Sequence, residues 1–219
     1  DNGGGGIFNN GGTLNVASGT VITRNVADGA SGSGGGLFST NGDVVLDGVI
    51  ITENRANRAG GGIELIDGSL MLTNSTLDNN NVGISPAVAA PGNGGGLHIT
   101  GAADANISGG TVDNNVAAAE GGGLWNGSGT MTIDATPITN NVASGNDATN
   151  GGGGVFNNGG TLDVLAGTEI TNNIADGTSG SGGGVFSTAG DVTLTEVIIT
   201  DNQANRAGGG IELIDGSLT

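Results

Sequence analysis

The sequence has no cysteine, which removes disulfides and thiolate metal sites from consideration. Lysine and tyrosine are also missing, and the four basic residues are all arginine. Against them stand 21 acidic residues, for a net charge of −17, which argues against nucleic acid or an anionic membrane as a partner. Only four Phe and one Trp are present, too few rings for a conventional globular core, and 49 glycines would be costly to order within one. No run of about 18 apolar residues marks a membrane span, so direct membrane insertion is not expected. No secretory leader is visible, and no segment keeps a 3.6-residue period.

What is present is repetition. Hydrophobic residues make up 35% of the chain and recur in register, which disordered tracts do not show. Glycine does not fall at every third position, so collagen is excluded. Three glycines followed by Ile, Leu or Val occur eight times, as in Gly60-Gly61-Gly62-Ile63. The aliphatic anchors are Ile7, Leu37, Ile63, Leu97, Leu124, Val155, Val185 and Ile211. A second anchor, an aliphatic residue followed three positions later by Asn, lies 17 or 18 residues further on. Its asparagines are Asn25, Asn54, Asn80, Asn115, Asn141, Asn173 and Asn202. The gap from each Asn to the next aliphatic anchor varies from 9 to 17 residues, so length variation is confined to one connection per repeat.

Each repeat reads as three short strands separated by turns. In the first, Ile7-Phe8-Asn9 is followed by the turn Asn10-Gly11-Gly12, then by Thr13-Leu14-Asn15-Val16 and, after Ser18-Gly19, by Thr20-Val21-Ile22-Thr23. The expected fold is all-β: a right-handed parallel β-helix with three short strands and about 30 residues per coil. Like positions should stack in columns about 4.8 Å apart. A longer period overlies the short one. Residues 2–71 align with 150–219 at an offset of 148, with about 54 of 70 identical. Five coils therefore form a super-repeat, residues 2–149, about 24 Å long at one strand spacing per coil. The second copy begins at residue 150, and the whole 1–219 reads as one β-helix segment from a longer array.

Gly61-Gly62-Ile63 and Ile51-Thr52-Glu53-Asn54 resemble the Gly-Gly-Ala-Ile-like and Phe-x-x-Asn-like motifs of bacterial autotransporter and polymorphic outer-membrane protein passenger regions and related adhesins. The resemblance covers every coil, with Gly here where those families often have Ala and aliphatics where they have Phe. It implies a β-helical segment displayed outside a bacterial cell.

The asparagine column reads as structural, with amides turned inward to bond from coil to coil. The position after each tetrad holds Phe8, Phe38, Glu64, His98, Trp125, Phe156, Phe186 and Glu212. All five rings fall in this column, and alternation points it away from the core, as a contact row for sugars or a neighbouring filament. The favoured reading has the rings folded over the glycine corner, because the residue that follows is polar after a ring and apolar after Glu or His, as if the two positions share a filling role. Arg58 with Glu64, and Arg206 with Glu212, are spaced to pair across the connection. A lone His98 does not make a metal site, and no cofactor is expected. The glycine runs lack the helix N-terminus and Lys of a phosphate loop, and calcium-binding nonapeptides are not repeated in tandem.

The expected function is a structural or adhesive segment of a secreted or cell-surface fibrous protein, a rigid stalk with loops on one side, the longest at residues 81–94. Self-association, end to end or lateral, or a surface or glycan partner is expected. A polysaccharide-binding or polysaccharide-degrading protein is the alternative, although arginines that follow the repeat, without lysine, argue against an enzyme. A second alternative is ice binding through the threonine row Thr23, Thr52, Thr139, Thr171 and Thr200, broken by Asp78 and Asp113.

Overall fold

A computed structural model describes residues 3–83 and 90–219, so the middle of the 81–94 connection, residues 84–89, lies outside the described residues. The chain is a three-sided β-solenoid. All strand pairs are parallel, and no helix occurs among the described residues. One sheet has twelve strands and the other two have seven each, one strand per coil. The glycine spacing and the two-residue alternation leave no stretch long enough for a helix, and stacking coils supplies each short strand with partners on both sides.

The faces are divided differently from the three strands read in sequence. The first two strands of each coil share one face. In four coils they run together as Leu37–Asp47, Ile63–Thr73, Val155–Val164 and Val185–Leu194. The expected turn becomes an irregularity within a strand, as at Asn41-Gly42 and Asp67-Gly68, where Gly42 still pairs with Gly68. The Ile22-type strands, such as Ile50–Thr52, form the second face. The third face is a dipeptide following each column asparagine: Val26–Ala27, Arg55–Ala56, and so on to Gln203–Ala204. Two residues are too short for a hydrophobic period, which is why the sequence pattern does not reveal this face.

Inside, the aliphatic anchors and the inward residues of the first two faces form one continuous core, from Ile22 through Leu37, Ile63, Leu97 and Leu124 to Val192. Ala105 is a small buried residue in the same core. The third face contributes a separate line of small residues, Ala27, Ala56, Val82 and Ala117. The glycine triad has a steric cause at each position. In every triad but the first, its first member is left-handed, with φ between 56° at Gly182 and 68° at Gly94. At the second, a Cβ on Gly122 would lie 2.4 Å from the Gly153 carbonyl of the next coil. At the third, a Cβ on Gly123 would lie 2.7 Å from the Gly154 carbonyl and 3.1 Å from the Asn141 amide. The third glycine thus makes room for the asparagine column.

Candidate functional sites on the solenoid

The seven column asparagines stand in one ladder. Each amide nitrogen donates to the side-chain oxygen of the asparagine one coil on, at 2.9–3.1 Å, from Asn25 to Asn202. From Asn54 onward its second hydrogen goes to a carbonyl of the preceding coil, as Asn141 to Val112 O at 3.0 Å. Each receiving oxygen also accepts the backbone N–H of the asparagine before it. Both amide hydrogens are therefore used from Asn54 to Asn173. The residue just before each column position, Arg24, Glu53, Asn79, Asn114, Asn140, Asn172 and Asp201, is left-handed, with φ near 55°. Four of the seven are Asn, the non-glycine residue most tolerant of that region, a cue in the sequence that the repeat reading passed over.

The ring column does point away from the main core, yet it is not a contact row. Phe38, Trp125, Phe156 and Phe186 are buried, and the last three form a cluster of their own. The connection before each tetrad packs over them. Trp125 Nε1 donates to Glu120 Oε2 at 3.0 Å, and the left-handed glycines Gly34, Gly121 and Gly182 sit against the Cβ of Phe38, Trp125 and Phe186. Among the described rings only Phe8 is exposed, at 52%. The rings stack along the axis, Phe8 on Phe38 and Trp125 on Phe156, with Phe186 edge-on to Phe156.

At Glu64 and His98, where the column lacks Phe or Trp, a buried polar pair stands in their place. His98 Nδ1 lies 2.8 Å from Glu64 Oε2, Thr100 donates to Glu64 Oε1, and the imidazole packs 4.3 Å from the Trp125 ring. Glu120 next to it accepts from Trp125, Asn93 and Asn150. Sequence spacing alone did not pair Glu64 with His98, because the partner lies one coil away. It paired Glu64 with Arg58 instead. Arg58 donates to Ser33, and of the two expected pairs only Arg206–Glu212 forms.

The threonine row is in register along the second face, with Asp78 and Asp113 in line between Thr52 and Thr139. Asp78 accepts from Asn79 and Asn114, and Asp113 from Asn114, Thr139 and Asn140.

At the corner between the second and third faces runs a groove of about 620 Å³, lined by Arg24, Val26, Glu53, Arg55, Asn79, Asn80, Asn81, Asn114 and Val116. Arg24 Nε bonds Glu53 Oε2 at 2.6 Å across one coil step. That hydrogen bond, then its charge, lowers the Glu53 carboxyl below its ordinary range and raises the Arg24 guanidinium. The Arg55 guanidinium makes no hydrogen bond or ion pair among the described residues. Among the same residues no group of three His, Asp or Glu is arranged to hold a metal ion, and no helix is long and apolar enough to cross a membrane. No protein-family model, curated protein or solved structure matches the chain.

Proposed function

We propose that this chain is a rigid structural and adhesive segment of a secreted or cell-surface fibrous protein. The observation that carries the reading is the asparagine ladder, unbroken through seven coils while the connections between them differ in length. A ladder that crosses every coil resists bending and shear. Connections that vary on one side alter what is presented without altering the axis. The resemblance of the repeat motifs to passenger regions of bacterial surface proteins supports a position outside the cell.

Two measurements test the proposal together. Light scattering at micromolar concentration reads self-association, the mark of a fibre subunit. Beads coated with the chain, washed over glycan-bearing surfaces, read adhesion. Ordered association or specific bead retention is the expected outcome. A chain that stays monomeric and whose beads are released as readily as bare ones would refute the assignment.

A further inference from the structure

We infer that the corner groove is a binding site for a carboxylated sugar, a glycan unit carrying one carboxylate among hydroxyls. The inference rests on the adhesive reading above and gives it a partner chemistry.

The first observation is charge placement. The chain holds 4 basic residues against 21 acidic, yet two of the four, Arg24 and Arg55, line this one groove. Arg24 is occupied by Glu53, which leaves Arg55 as an exposed fork of donors that feels the Glu53 charge but makes no hydrogen bond among the described residues. A guanidinium in that condition fits a carboxylate bidentately.

The second observation is the balance of donors and acceptors around it. Asn114 spends its amide nitrogen on Asp78 and Asp113, and Asn79 donates to Asp78. Among the described residues their side-chain oxygens accept no bond and the Asn81 amide makes none. The groove therefore offers one cationic fork beside several amide oxygens. Amide oxygens accept from hydroxyl donors, which sugars carry in number. A polyanion fits poorly, since Asp78 and Asp113 stand beside the site and the chain carries a net charge of −17. An extended peptide fits poorly too. The backbone under the groove is paired on both sides, Asn81 with Arg55 and with Val116, so no strand edge is free to take one.

The third observation lies within the chain. The second super-repeat places Asn172, Asp201 and Gln203 where the first has Arg24, Glu53 and Arg55, in the same ladder columns. Both guanidinium groups are gone there while the inward residues are kept. R24N and R55Q are thus substitutions that this fold already carries at equivalent places.

The experiment is amide chemical-shift titration of the intact 219-residue chain in 0.15 M salt with sialyllactose, a glucuronate-containing disaccharide, lactose and a hexaglutamate peptide. Expected are shifts centred on Arg55, Asn79, Asn81 and Asn114 with a carboxylated sugar. Lactose should bind roughly tenfold or more weakly, the worth of one charge-assisted contact. R55Q should abolish the preference, and R206Q, outside the groove, should leave it intact. The two acidic sugars separate a sialate from a uronate source. Circular dichroism of R55Q matching the wild type excludes misfolding. Lactose binding equally well, hexaglutamate binding as tightly as the sugars, or a preference that survives R55Q would overturn the inference. Sugar shifts confined to the connections would overturn it while keeping the adhesive reading. Silence with every sugar, alongside ordered self-association, would overturn it and leave the fibre reading standing.

Discussion

Replacing Asn141 by Ala tests what the ladder is worth. Asn141 is fully buried. Its amide donates to Val112 O and Asn173 Oδ1, and its Oδ1 accepts from the N–H and the amide of Asn115. Alanine deletes all four bonds. Asn173 Oδ1 keeps the Asn141 backbone N–H, and the Asn115 amide keeps Leu77 O, so those two are only partly stripped. The Asn115 N–H loses its side-chain acceptor, and the Val112 carbonyl loses its amide donor. At about 1–3 kcal/mol for each buried group left short, the expected loss is about 3–5 kcal/mol. The neighbouring Asn140 is the internal control. It is exposed and left-handed, with φ 55°, and its amide reaches only Asp113. Asn140→Ala should cost about 1 kcal/mol, the strain of a left-handed alanine, and Asn140→Gly close to nothing. Urea unfolding followed by circular dichroism gives the comparison. Hydrogen exchange of the coils on either side localises it, since each coil depends on its neighbours. If Asn141→Ala loses no more stability than Asn140→Ala, the ladder is a consequence of the fold and not one of its supports.

Three further outcomes are expected. Gly123→Ala drives a Cβ into the Gly154 carbonyl at 2.7 Å and should abolish cooperative unfolding, whereas Gly12→Ala, whose nearest contact is a flexible side chain at 3.4 Å, should leave the melting temperature unchanged. His98→Phe leaves the buried Glu64 carboxylate with Thr100 alone and should cost about 3–5 kcal/mol, while Glu64→Phe with His98→Phe rebuilds the ring column and should return within about 1 kcal/mol of wild type. A double variant as unstable as the two singles combined would show that the pair does not substitute for rings. Because the Glu53 carboxyl is lowered by Arg24, its stabilisation is present above the ordinary carboxylate range and fades as pH falls through the lowered value. The stability gap between wild type and Glu53→Gln should be small at neutral pH and should close in acid or in high salt.

The parts of this fold legible in the sequence are those that repeat at fixed spacing. The aliphatic anchors, the inward asparagines and the middle-strand alternation all took their places, because each coil must bury the same positions against the next. Three kinds of feature were not legible. The two-residue third face is too short to show a period. The direction of the ring column was read correctly from alternation, and rings folded over the glycine corner were read beside a contact row, but the pattern alone did not decide between them, because the cover comes from a connection of irregular length, where the pattern is silent. Contacts that cross coils, Glu64 with His98 and Glu120 with Asn150, join residues 34 and 30 positions apart, and the variable connections blur those separations. The left-handed position before each asparagine was open to reading and was missed, since Arg24 and Glu53 occupy it beside the more telling Asn79, Asn114, Asn140 and Asn172.

The division of labour within a coil explains where functional difference can accumulate. Glycine packing and the asparagine ladder are satisfied entirely from inside and from the coils above and below, so the outward residue of the third-face dipeptide bears little of the fold. Val26, Arg55, Asn81, Val116, Val142, Ile174 and Gln203 follow one another in that single column, apolar, cationic and amide in turn. Between the two super-repeats the inward changes are conservative, Ile7 to Val155 and Leu37 to Val185, while this outward column and the left-handed position beside it each lose a positive charge, Arg55 to Gln203 and Arg24 to Asn172. Those columns are also the walls of the groove. A solenoid held in this way exposes a surface whose chemistry can be rewritten coil by coil at little cost to stability, and the loss of both groove arginines in the second copy is a difference of that kind.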